Sequence, residues 1–104
     1  MSTPYAGEVT LILDGQPHRL RLTLGALAEM EAAMGEDTIL ALVGRFEQGR
    51  VSSRDVLALI VAGLRGGGWQ GEAADLLQAE IEGGLHGAAR IAAELLARAF
   101  TPPA

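Results

Sequence analysis

Residues Glu8 to Gly35 constrain this chain more than any other stretch. Two short runs alternate apolar and polar residues on either side of Asp14-Gly15, and a helix-patterned run follows with no linker. The first run, Glu8 to Leu13, puts Val9, Leu11 and Leu13 on one face. The second, His18 to Leu24, puts Leu20, Leu22 and Leu24 on one face and Arg19, Arg21 and Thr23 on the other. Period-two alternation around Asp-Gly predicts a β-hairpin. Two registers keep the apolar sets together. A two-residue turn pairs Glu8 with Arg21, whereas a four-residue loop through Pro17 pairs Thr10 with Arg21. The longer loop is preferred, because it leaves Pro17 outside the ladder. A lone hairpin is marginal in water, so its apolar face must be covered. The remainder of the chain offers only helices for that task, and the hairpin edges stay open unless something pairs with them.

The helices follow from periodicity and caps. A first helix spans about Gly25 to Met34, with Leu27, Met30 and Met34 on one stripe and Gly35 as its stop. Asp37 or Thr38 caps a second, in which Ile39, Leu42, Val43 and Phe46 share a face. Ser52 and Asp55 form a capping-box pattern at the start of a third. This helix is apolar almost all round, so it is either central to the core or partly covered by another molecule. Gly66-Gly67-Gly68 ends it. A fourth helix is expected from about Gln70 to Glu82, with Leu76, Leu77 and Ile81 inward. A fifth runs from about Ala88 to Phe100, after a break at Gly83-Gly84 and Gly87, and turns Ile91, Leu95 and Phe100 inward. The expected fold is α+β in a single domain, residues 1–104. It comprises a frayed leader (1–6), an N-terminal β-hairpin (8–24), about five α-helices packed into a mainly helical part (25–100), and a short tail (101–104) that Thr101-Pro102-Pro103 begins.

Composition removes several function classes. The chain has 104 residues and no cysteine, so disulfides, cysteine-zinc sites and thiol catalysis are excluded. Its net charge is −5, its basic residues are all arginine, and they are scattered from Arg19 to Arg98. Nucleic-acid binding needs a clustered basic face, which this pattern does not provide. The longest apolar run, Val56 to Leu64, is far short of the roughly 20 residues that span a bilayer. A cytoplasmic protein with no membrane segment is therefore expected.

No candidate chemistry withstands inspection. Gly66, Gly68 and Gly71 match G-x-G-x-x-G, but a dinucleotide site also needs a preceding strand, a second parallel strand and a later acidic residue. The glycines read instead as a flexible connection. His18 and His86 lack a nucleophile or orienting carboxylate at a suggestive spacing. Glu29 with Glu31 and Glu80 with Glu82 point to different helix faces. Glu72 and Asp75 lie one turn apart but have no third ligand at metal spacing. The expectation is a protein that is not an enzyme and holds no cofactor or metal.

At Leu22 to Gly35, LTLGALAEMEAAMG, the chain resembles small gene transfer agent family proteins, encoded in the tail region of prophage-like gene clusters in alphaproteobacteria. The likeness continues through Arg45-Phe46, Gly49, Ser52 to Val56 and Gly63 to Gly68, and covers roughly Gly7 to Ala99. It implies a part in building the tail of a phage-like particle, either as a tail tube component or as a tail assembly chaperone. The chaperone would bind the helical tape-measure protein and keep it from aggregating. An acidic, helical module with apolar surface favours the chaperone, since a tube subunit normally needs a β-rich sandwich. On that reading Leu57, Ile60, Val61 and Leu64 make the partner contact, with Trp69 as an anchor; ordinary core is the competing account of all five. A small adaptor unrelated to phage, forming a homo-oligomer through its hairpin edges, is the alternative from another class.

Overall fold

The computed structural model of the chain describes residues 8–35 and 38–100. Its elements are β1 (Glu8–Leu13), β2 (Gln16–Arg21), α1 (Leu24–Met34), α2 (Ile39–Glu47), α3 (Ser53–Gly66), α4 (Ala73–Leu76) and α5 (Gly84–Ala99). The α+β class, a hairpin followed by five helices, is as the sequence predicts. The leader at 1–6, Asp37 as a cap and the tail at 101–104 lie outside the described residues.

The hairpin takes the shorter turn. Glu8 pairs with Arg21, Thr10 with Arg19 and Leu13 with Gln16, which corrects the four-residue loop. Asp14 (φ 50°) and Gly15 (φ 79°) are both left-handed, as in the turn whose twist matches paired strands. Pro17 costs the ladder nothing even inside β2. It stands opposite Ile12, whose carbonyl points away from β2 and accepts from the Glu82 N–H at 3.1 Å. Opposed residues of an antiparallel pair face the same way, so the Pro17 nitrogen also faces outward. Val9, Leu11, Leu13 and Leu20 are buried as the alternation requires. Leu24 is 83% exposed, against expectation, because it opens α1 and the strand parity has ended.

Caps set the helix starts. The Thr23 hydroxyl accepts from the Ala26 N–H at 3.0 Å, and the Thr38 hydroxyl from the Ala41 N–H at 3.1 Å. Ser52 and Asp55 complete a reciprocal capping box, each bond 3.1 Å. α3 is the central helix, with Val56, Leu59, Ile60 and Leu64 buried. Gly63 lets it approach both neighbours, since a Cβ there would lie 2.8 Å from Leu95 Cδ1 and 3.1 Å from Leu20 Cβ. The glycines that follow are no flexible connection. A Cβ on Gly66 would fall 1.8 Å from the Arg21 carbonyl oxygen, and one on Gly67 1.9 Å from that of Arg19. The end of α3 therefore lies directly against the outer edge of β2.

The second half departs further from the periodicity. The fourth helix shrinks to one turn, leaving Leu77 73% exposed. Residues 77–83 follow the hairpin instead. The Asp14 N–H donates to the Glu80 carbonyl at 2.8 Å, and the Glu80 N–H donates to Asp14 Oδ1 at 2.8 Å. Ile81 then forms a bridge with Leu13, so this segment covers the outer edge of β1 near the turn. Backbone donors committed to the strand cannot also complete a helix. α5 begins at Gly84, earlier than expected, and runs through Gly87, where a Cβ would meet the Glu82 carbonyl oxygen at 2.6 Å. Phe100, expected inward, follows the helix and is 49% exposed.

Candidate protein-binding surface

α3 turns one stripe away from the hairpin. Arg54, Leu57, Ala58, Val61 and Arg65 follow at helical spacing, so they form a continuous ridge. Ala26, Met30 and Ala33 of α1 face this ridge across an apolar groove of about 350 Å³. The hollow follows from the sequence, because alanines on both helices leave the space that larger side chains would fill. On the opposite flank of the ridge lies a wider groove of about 510 Å³. Val56, Leu57 and Ile60 form its α3 side, and Leu77, Ile81 and Leu85 contribute from the α4–α5 segment. Leu77 and Leu85 are 73% and 64% exposed.

Charge is sparse on this face. The Arg65 guanidinium crosses one end of the narrower groove, donating to Glu29 of α1 and, at 2.9 Å, to Glu72 before α4. Arg54 lines both grooves and has no ion pair among the described residues. The neighbouring Asp55 is fully engaged. Arg45 of α2 holds its carboxylate through two bonds of 3.0 Å while it caps α3. Partial burial pushes the Asp55 carboxyl up, but Arg45 and the Ser52 N–H outweigh this and hold its pKa below the ordinary 3.8.

The five residues expected at a partner contact divide by position. Leu57 and Val61 are half-buried on the ridge and accessible from the grooves. Ile60 and Leu64 are enclosed in the core, 1% and 0% exposed. Trp69 is half-buried elsewhere, with its ring over Gly71; a Cβ on that glycine would lie 2.1 Å from Trp69 Cζ2. It borders a small recess beside the hairpin with Leu13, His18 and Leu76. Sequence reasoning missed Arg54, Leu77 and Leu85. The position of Arg54 three residues before Leu57 was a usable signal, but nothing local distinguished Leu77 from an inward leucine.

The residues weighed for chemistry have structural surroundings. Asp75 accepts from the Glu72 N–H at 2.8 Å, and Glu72 pairs with Arg65. His18 is half-buried in β2, and His86 is exposed in the first turn of α5. Among the described residues no group of three or more His, Cys, Asp or Glu could hold a metal ion, and no helix is long and apolar enough to cross a membrane.

A family model described as phage tail tube protein, GTA-gp10, matches residues 6–101. No curated protein and no solved structure matches the chain.

Proposed function

The chain belongs to the phage tail tube protein, GTA-gp10 family, and from that premise we propose that it is a non-enzymatic tail assembly chaperone for the tape-measure protein. Its place among phage-like and gene transfer agent tail proteins comes with the family. The finer role rests mainly on the open apolar face astride α3, where Leu57 stands between two grooves. Apolar surface of this kind is characteristic of protein partners, and grooves between helices suit an amphipathic helix. A long helical tape-measure protein would offer many such segments before the tube encloses it. The chaperone would act in the cytoplasm, where its partner is made.

A second reading makes the chain a structural component of the tail tube, and the description of the family favours it. Two measurements separate them. Co-expression with fragments of the tape-measure protein should keep a fragment soluble and co-purify it. If every fragment stays insoluble and none co-purifies, the chaperone role fails. On the chaperone reading, mass spectrometry of purified particles should also find the chain absent from finished tails. Recovery in stoichiometric amounts from the tube would establish the structural role instead.

A further inference from the structure

We infer that the wider groove, between α3 and the α4–α5 segment, takes one amphipathic partner helix whose apolar stripe carries a carboxylate against Arg54; this rests on the chaperone reading and specifies its recognition chemistry. The groove offers aliphatic contact from half-buried Leu57 and exposed Leu77 and Leu85, over a floor closed by buried Val56 and Ile60. Its single charged lining residue is Arg54, which has no ion pair among the described residues. A partner that covered this guanidinium without supplying an anion would leave a desolvated, unpaired charge, which is strongly unfavourable. Charge complementarity therefore calls for Asp or Glu on the occupant.

The backbone surroundings select a helix over an extended peptide. An extended peptide needs partners for its own N–H and carbonyl groups. In the wall of this groove, the Glu80, Glu82 and Gly84 N–H groups are already bonded to Asp14, Ile12 and Ile81. The Leu77 and Ala79 N–H groups bond back to the Ala74 and Leu76 carbonyls, and the walls from α3 and α5 are helices with internal bonds. A helical occupant satisfies its own backbone and needs only side-chain contact. The narrower groove is less suitable, because the Arg65 bonds to Glu29 and Glu72 span one end and a helix lying there would have to displace them. A second copy of the chain is disfavoured as occupant, since each copy carries a net charge of −5.

The test uses the 104-residue chain co-expressed with overlapping fragments of a phage-type tape-measure protein. The fragment that wild type captures is then titrated against variants, with circular dichroism as the check on folding. Arg54→Glu and Leu85→Glu should each weaken binding by at least about tenfold, while Ala33→Glu in the narrower groove leaves it unchanged. Replacing one carboxylate of the fragment with arginine should restore binding to Arg54→Glu. Unchanged affinity in Leu85→Glu, which alone of the two alters the wider groove without touching the narrower, or loss confined to Ala33→Glu, overturns the inference and leaves the chaperone reading standing. Failure of wild type to capture any fragment overturns both. Dimers of wild type that Arg54→Glu converts to monomers, with no fragment bound, would assign the groove to a second copy and also overturn the inference.

Discussion

Replacing Gly66 with alanine tests whether the end of α3 is a contact or a connector. The added Cβ would sit 1.8 Å from the Arg21 carbonyl oxygen and 3.0 Å from its carbon. A close C···O contact needs about 3.3 Å, so helix and strand must part by roughly 1.5 Å. Neither side yields easily. The oxygen belongs to the backbone of β2, which is laddered to β1 and anchored by fully buried Leu20 against Gly63. Two effects compete. Alanine exceeds glycine in helix propensity by about 1 kcal/mol, an upper bound at the last residue of a helix. Overpacking costs about 1–3 kcal/mol even where side chains can adjust, and a fixed carbonyl places this case at the top of that range. The net is a loss of about 2 kcal/mol, or roughly 10 °C in Tm for a chain of this size. Urea unfolding followed by Trp69 fluorescence and far-ultraviolet circular dichroism measures it. Gly44→Ala is the control, since its Cβ meets nothing within 4 Å inside α2; it should stabilise by about 0.4–1 kcal/mol. A Gly66→Ala protein at least as stable as wild type would refute the close-contact argument and restore the glycines as a flexible connection.

The remaining predictions concern single side chains. Asp14→Asn should be nearly neutral, because asparagine tolerates a φ of 50° and keeps an acceptor for the Glu80 N–H. Asp14→Ala loses both and should cost about 1–2 kcal/mol by urea denaturation, with faster amide exchange across residues 79–84. Folding depresses the Asp55 pKa, so its contribution is complete above the ordinary value of 3.8 and is lost as pH falls through the lower folded value. Urea midpoints measured over that acid range should fall less steeply for Asp55→Asn than for wild type. Leu57→Asp should abolish capture of a tape-measure fragment with helicity intact, whereas Ile60→Asp, which places a charge at a 1% exposed site, should unfold the chain. Intact helicity in Ile60→Asp would show that this side chain is accessible after all.

Elements governed by near neighbours were legible in the sequence. Alternation placed Val9, Leu11, Leu13 and Leu20 in the core, and the Ser52–Asp55 pattern located the start of α3. The hairpin register was not legible, since both candidate loops keep the same faces together and Pro17 fits inside the ladder wherever its pair faces outward. The fourth helix failed for a different reason. Its apolar spacing was helical, but the bond from Glu80 to Asp14 links residues 66 positions apart, and no local pattern encodes that competitor. The candidate binding face was hidden for two reasons. Ile60 and Leu64 looked no different from Leu57 and Val61 along an apolar helix, and the exposed leucines at 77 and 85 lie where the expected helix boundaries were wrong.

The hairpin edges bear on how this protein can assemble. On β2, Pro17 has no N–H, and the carbonyls of Arg19 and Arg21 are occupied by the close approach of Gly67 and Gly66. On β1, the Ile12 carbonyl and the Asp14 N–H are bonded to residues 80–82. Only the stretch from Glu8 to Thr10 keeps an outer edge without such a partner among the described residues, too short to template a strand from another molecule. The hairpin thus acts as a bracket. One edge positions the end of α3, and the other fixes the wall of the wider groove through Asp14. Assembly by strand pairing would have to displace one of these supports, and with it the groove. Assembly through a helix laid beside Leu57 requires neither to move, so the geometry that closes the strand edges is the same geometry that keeps the helical face open.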